Sequence, residues 1–381
     1  MSGMIPLAIP DVGEAEARNL NACIAENMVS SIGRFVSQLE QDIARTSGAT
    51  GGVATSAGTT GLHAALHALG VRHGDLVICP SFTFIASANA ISQCGATPWL
   101  IDIDDDWLMD LDQLEAMLTE DTRRGDDGLL HRATGRRVAA IMPIYTLGNV
   151  PDMDRLGRIA GGYGLPVVAD AAAALGATRD GAPIGPMADL SVISLNGNKI
   201  ITAGGGGVVI GMSDALLGRV RHLTSTARVS ADYSHDEAAF NYRMTNIQAA
   251  VGCAQMERLE GFLNRKATLR QRYAEAFAPL KGQSPFPLMP GGSAWFSGML
   301  FDKDATPVLG DVVTQLRERG VEARTFWKPV HLQPPYAGAP AGDLTRTTSI
   351  WDRILTLPCS STLSSADQER VIAAVLDVLG R

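Results

Sequence analysis

The chain lacks the marks of several common classes of protein. No cluster of Lys or Arg stands anywhere along it, and its 32 basic residues are outnumbered by 40 acidic ones, a formal net charge of -8. Nucleic acid, whose phosphates call for a basic patch, is therefore not an expected partner. Apolar runs stay short of the roughly 18 residues that a membrane span needs. The opening segment "MSGMIPLAIPDVGEAEARN" has neither a basic start nor a long apolar stretch, so it does not read as an export signal. Cysteine is scarce. Cys23, Cys79, Cys94, Cys253 and Cys359 are scattered without CxxC spacing, which excludes a disulfide framework and suggests no metal site. A reduced cytoplasm is the expected compartment. What remains is the composition of an ordinary folded chain, 46% hydrophobic and 19% charged over 381 residues, long enough for two cores.

Short apolar runs alternate with helical patterns from about residue 50 to residue 210. "GGVATS", "DLVICP", "TPWLIDID", "VAAIMPIY" and "PVVAD" read as strands. "TTGLHAALHALG", "FIASANAISQCG", "DLDQLEAML" and "DMDRLGRIAGG" read as helices, and a polar loop runs through "RRGDDG". Such alternation predicts an α/β fold with a mostly parallel sheet covered by helices on both faces. Ligands on these sheets bind beyond the carboxyl ends of the strands. A long helical stretch, "MTNIQAAVGCAQMERLEGFLNRKATLRQRYAEAF", then leads to a strand in "SAWFSGMLF" and a helix in "PVLGDVVTQLRERG". Ser365 and Gln368 are spaced as a capping box for the last helix. Residues after about 262 read as a smaller α+β domain.

Five features fall at or just beyond strand ends. In "SAGTTGLHAAL", Gly58, Thr59 and Thr60 lie between a strand and a helix, where free N–H groups and two hydroxyls suit a phosphate; a plain helix cap is the ordinary alternative. In "PSFTFIAS", Phe84 either stacks on a flat ligand or fills core. Asp170 ends the apolar strand "PVVAD", where a carboxylate is costly to bury unpaired, and its ordinary role is a cap. In "SVISLNGNKIITAGGGGVVI", Ser194 and Lys199 stand between two buried strands and a glycine run that lets backbone approach something closely; an exposed turn lysine is the common alternative. Polar residues in "FNYRMTNIQAAVG" enter the long helix. Together an amine for a Schiff base, an acid for a pyridinium nitrogen, an aromatic for a ring face and hydroxyls for a phosphate describe a pyridoxal phosphate site.

These segments, in this order and nearly end to end, resemble the DegT/DnrJ-type nucleotide-sugar aminotransferases, which are fold type I enzymes. "VSSIGRFV", "NGNKIIT" and "HDEAAFNYRM" resemble the LegC-like branch most. The resemblance implies a large cofactor-binding domain over residues 1–262, whose N-terminal residues pack on a small domain over 263–381. It implies that Lys199 bonds the cofactor's aldehyde, Asp170 pairs with its ring nitrogen, Phe84 stacks on the ring, and Gly58, Thr59, Thr60 and Ser194 hold the phosphate. Asn241 matches the residue that reaches the phosphate from the other subunit of a homodimer. Ser31 and His331 match segments lining the sugar site, and Arg243 answers a carboxylate or diphosphate or else forms a structural ion pair. The implied reaction moves the amino group of L-glutamate onto C4 of a UDP-linked 4-keto-6-deoxy (N-acetylamino) hexose for cell-surface sugar biosynthesis.

The pattern departs from the family at Ala169 and Ala173, where Glu and a polar group are usual, at Gly205, where Glu is usual outside the LegC-like branch, and at Ala239, usually Gly. A C3 aminotransferase acting on a dTDP-keto-sugar shares every cofactor residue named here. A non-catalytic relative that keeps the fold is a further reading. A related deoxygenating class carries histidine in place of the lysine, and Lys199 argues against it.

Overall fold

The computed structural model describes residues 3–380; Met1, Ser2 and Arg381 lie outside the described residues. Seven strands form the larger sheet: β1 (Gly51–Thr55), β2 (Leu76–Pro80), β3 (Thr97–Ile101), β4 (Val138–Ile141), β5 (Val168–Asp170), β6 (Leu190–Ser194) and β7 (Gly207–Gly211). Their spatial order is β1-β7-β6-β5-β4-β2-β3, with the ladders β1-β7-β6-β5 and β4-β2-β3 joined by bridges from Ile141 to Val167 and from Ile144 to Asp170. Strand β7 runs antiparallel to both neighbours, and the other pairings are parallel.

Among the described residues nine α-helices precede the smaller sheet: α1 (Glu14–Ala25), α2 (Arg34–Thr46), α3 (Gly58–Ala68), α4 (Ile85–Gln93), α5 (Leu111–Glu120), α6 (Met153–Tyr163), α7 (Asp214–Thr224), α8 (Asn246–Met256) and α9 (Leu259–Phe277). Successive strand residues turn to opposite sides. Ile78, Ile193 and Val208 join one buried cluster with Leu39 and Ile43 of α2, while Val77, Val192 and Val209 join another with Leu62 and Leu66 of α3. That period-two division between two apolar faces is why these strands read as continuous hydrophobic runs.

The smaller sheet has β8 (Gln283–Pro285), β9 (Ser297–Phe301), β10 (Arg324–Thr325) and β11 (Ile354–Leu357) in the order β8-β9-β11-β10, all antiparallel. Helices α10 (Leu309–Glu318) and α12 (Ser365–Val378) join the core of this half, while α11 (Thr345–Ile350) is tied to the end of β3, its Arg346 and Thr347 N–H groups donating to Asp102. Leu269, Tyr273 and Phe277 of α9 pack with Met299, Leu316 and Val371 in its core. The N-terminal chain joins it too: Ile5 bridges to Val321, and the Cys359 N–H donates to the Leu7 carbonyl.

Three local expectations are corrected. The long helical stretch breaks between α8 and α9, where the Arg258 guanidinium turns to Asp11 and Glu16 of the N-terminal segment. The polar loop folds into a hairpin, Thr122–Gly125 against Gly128–His131, with Gly128 at φ +105° where only glycine sits freely. The last helix is capped by Ser364, whose extended backbone lets its hydroxyl accept from the Asp367 N–H. Ser365 is already helical, and Gln368 is buried with its amide donating to the Leu269 carbonyl.

Candidate active site

The turn after β6 carries Lys199, and the glycine run after it has a definite reason. A Cβ on Gly207 would lie 2.8 Å from the Gly58 Cα and 2.8 Å from the Ile193 carbonyl oxygen. Gly206 holds φ +101°, which also excludes most side chains. The start of β7 thus passes directly against the first turn of α3. A Cβ on Gly58 would in turn stand 3.0 Å from Cβ of Ser194. Three backbone segments converge where the first N–H groups of α3 have no intrahelical partner. Such a convergence of glycines, free N–H groups and the Ser194 hydroxyl is a cradle suited to an anion.

Beside it, Asp170 ends β5 and is 7% exposed. Its Oδ2 accepts from the Ser87 hydroxyl at 2.6 Å, and its Oδ1 accepts from the Ala172 N–H at 3.1 Å. Burial pushes its carboxyl above the usual carboxylate range, opposed by the Ser87 hydrogen bond and the charge of Lys199. Burial also lowers Lys199 to about 8, against the pull of Asp170. An amine near that value carries an appreciable unprotonated fraction at neutral pH. Gly58, Thr59, Phe84, Asp170, Ser194 and Lys199 all line one cavity of about 650 Å³ beyond the carboxyl ends of the strands. Phe84 is 55% exposed at this cavity, so it is not core.

Other expected residues lie elsewhere. Thr60 does not line the cavity; its hydroxyl donates to the Ala57 carbonyl at 2.8 Å and accepts the Ala57 N–H at 3.0 Å, closing the first turn of α3. The hydroxyl is thus turned to its own backbone, while Thr60 itself stands in the first turn of the helix. Asn241 and Arg243 are exposed outside the cavity, although the Tyr242 carbonyl accepts from the Ser56 N–H and so lays this segment along the end of β1. Ser31 is half-buried outside the cavity. His331 is engaged with the Ser81 hydroxyl through Nδ1 at 2.7 Å and the Thr348 hydroxyl through Nε2 at 3.1 Å, and burial lowers its pKa.

Two residues escaped sequence reasoning. Ser87 stands three positions after Phe84, one helical turn on, and that spacing was a usable signal. Trp295, whose ring faces the Lys199 amine, gave none, since "SAWFSGMLF" reads simply as a strand.

The residues present suit pyridoxal phosphate. A buried carboxylate stands ready for a protonated ring nitrogen, an amine lines the same space, an exposed aromatic offers a flat face, and the cradle takes a phosphate. A lysine and a buried aspartate sharing a cavity at the carboxyl edge of such a sheet fit the class of pyridoxal phosphate enzymes. Residues 10–376 match the DegT/DnrJ/EryC1/StrS aminotransferase family, and the chain belongs to it. It is a pyridoxal phosphate-dependent sugar aminotransferase of nucleotide-sugar biosynthesis. It is 35% identical over 380 residues to a GDP-perosamine synthase of Caulobacter vibrioides, covering 98% of each chain. Among solved structures, an aminotransferase TlmJ from Streptoalloteichus hindustanus superposes with a TM-score of 0.87 at 27% identity, covering 99% of each chain. DesI, solved in the presence of its TDP-sugar product, superposes with a TM-score of 0.88 at 26% identity, covering 100% of this chain and 94% of its own.

Proposed function

We propose that this protein moves the amino group of L-glutamate onto C4 of a UDP-linked 4-keto-6-deoxy (N-acetylamino) hexose, in the cytoplasm, as a homodimer serving cell-surface sugar biosynthesis. The observation that carries the chemistry is the shared cavity of Lys199 and Asp170, each with a pKa displaced by burial. Pyridoxal phosphate, when bound, supplies an aldehyde and a ring that accepts electrons during amine exchange. Asp170, fixed by Ser87 and the Ala172 N–H, would hold a proton on the ring nitrogen. Lys199 would bond the aldehyde and would move protons to and from the reacting carbon, work for which an amine near 8 is suited. Gly58, Thr59 and Ser194 would bind the phosphate, and Phe84 would cover one face of the ring. Thr60, in the same first turn of α3, is assigned to the phosphate with them.

Ser31, His331 and Arg243 are assigned to the sugar nucleotide, and Asn241 to the phosphate of the partner subunit. What supports the pairing is position, for the segment that carries Asn241 and Arg243 lies beside the end of β1 on the surface of its own chain. The two domains are taken to divide near residue 262, where α9 passes from one core to the other.

UDP rests on "VSSIGRFV", "NGNKIIT" and "HDEAAFNYRM". The Caulobacter relative, covering 98% of each chain, favours a second reading in which the carrier is GDP. Assay of UDP-, GDP- and dTDP-linked 4-keto and 3-keto sugars side by side, with L-glutamate as donor, tests both. C4 amination of a UDP-sugar is the expected result. Turnover confined to a GDP-sugar gives the second reading, and C3 amination overturns both.

A further inference from the structure

The amine of Lys199 lies over the face of Trp295, 3.8 Å from the centroid of its ring. That ring is firmly placed. Its indole N–H donates to the Asn198 carbonyl at 2.6 Å, its backbone N–H donates to the Leu147 carbonyl at 3.1 Å, and its own carbonyl accepts from Nζ of Lys266 at 3.1 Å. The side chain is 3% exposed. Just before it, Ala294 holds φ +53°, a left-handed conformation that a residue bearing a Cβ adopts only under constraint. The acceptor of the indole N–H is the residue immediately preceding Lys199. The loop that carries the amine therefore also aims the ring at it.

An aminotransferase passes half its cycle with its lysine free, because the transferred amino group then resides on the cofactor. A free ammonium in a desolvated cavity needs compensation, from a counter-charge, from hydrogen-bond acceptors or from a π face. Asp170 is already engaged by two donors and is assigned to the ring nitrogen. Of the other charged groups near Lys199, Arg324 lines the same cavity, while Asp11 and Lys266 line a narrow gap behind the lysine.

We infer that Trp295 is the resting place of the free Lys199 ammonium, a positioning residue that holds the amine beside the cavity between the two halves of the reaction. The inference rests on Lys199 being the amine of the proposed function and adds where that amine goes when released. A π face attracts the ammonium without the fixed charge of a second carboxylate, so the amine stays free to lose its proton. Burial lowers Lys199 to about 8, while the ring and Asp170 both oppose that shift.

The test uses the full-length protein freed of cofactor and mixed with pyridoxal phosphate between about pH 6 and about pH 10. Capture of the aldehyde is followed by visible absorbance, and the midpoint of the pH–rate curve reports the amine. Trp295→Phe and Trp295→Leu both shrink the side chain, but only Phe keeps a π face. The Leu midpoint is expected below the Phe midpoint by about half a pH unit. Coincident midpoints overturn the inference, because the ring then only fills space. A crystal structure of the wild type with pyridoxamine phosphate checks the same point without mutation: Nζ of Lys199 over the indole supports it, and Nζ directed away overturns it. Lys199→Ala separates the two levels. Lost capture upholds the amine, whereas capture that persists unchanged removes Lys199 itself, and the inference with it.

Discussion

Lys199 and Lys266 are both desolvated lysines, and burial lowers the pKa of each. Lys199 lines a cavity that also holds an acid and a phosphate cradle. Lys266, on α9 and 4% exposed, donates to the carbonyls of Trp295 and Cys359 at 3.1 and 3.0 Å. Arg270, one turn further along α9, likewise donates to the carbonyls of Phe286, Pro287 and Phe296. A buried cation is therefore not in itself a mark of chemistry. One whose donors end on backbone carbonyls is framework, and one facing an open space beside a displaced acid is a reagent.

That contrast breaks most sharply at Lys199. Lys199→Ala is expected to reduce turnover to background while thermal unfolding stays near wild type, because the side chain serves the reaction and not the packing. Asp170→Asn keeps the volume and removes the charge; turnover should fall by about a hundredfold or more, with a far smaller loss of bound cofactor measured by absorbance. Occupancy that collapses while the remaining loaded enzyme works normally would make Asp170 a structural residue.

The pairing of subunits gives an intermediate effect. Mixing Lys199→Ala with an inactivating Asn241 variant should, after exchange of subunits, return about a quarter of wild-type activity, since half the dimers are mixed and each carries one intact site. No recovery after proven exchange would return Asn241 to its own chain.

Lys266→Met sharpens the framework side. It removes a buried charge but strands two carbonyls, so stability should fall by about 1–3 kcal/mol in denaturant titrations, with turnover per folded molecule changed only a few-fold. Ser87→Ala should affect turnover less than Asp170→Asn does: Asp170 loses one of its two donors, and turnover should drop by about tenfold, the equivalent of one hydrogen bond to a charged group. The acid should then also titrate higher, because the Ser87 hydrogen bond is what opposes its burial most.

Much of the floor of the cavity was legible because its residues follow strand ends. Asp170, Ser194 and Lys199 each sit where an apolar run stops, and period-two burial made those runs conspicuous. The wall was not legible. Trp295 meets the loop of Lys199 across 97 residues of sequence, in a segment whose pattern describes only its own strand. Thr60 was only partly legible: its hydroxyl is taken up by the local backbone, a competition that composition does not reveal. The split between α8 and α9 was hidden for a similar reason, since helical periodicity continues through a break where Arg258 turns to distant acids.

Reduction of the cofactor-loaded enzyme with borohydride, followed by mass spectrometry of its peptides, tests the central distinction most directly. Reduction fixes the cofactor permanently to whichever amine holds it. The added mass is predicted on the peptide containing Lys199, with the peptide containing Lys266 unmodified. A label on Lys266, or on no lysine at all, would contradict the assignment of reagent and framework made here.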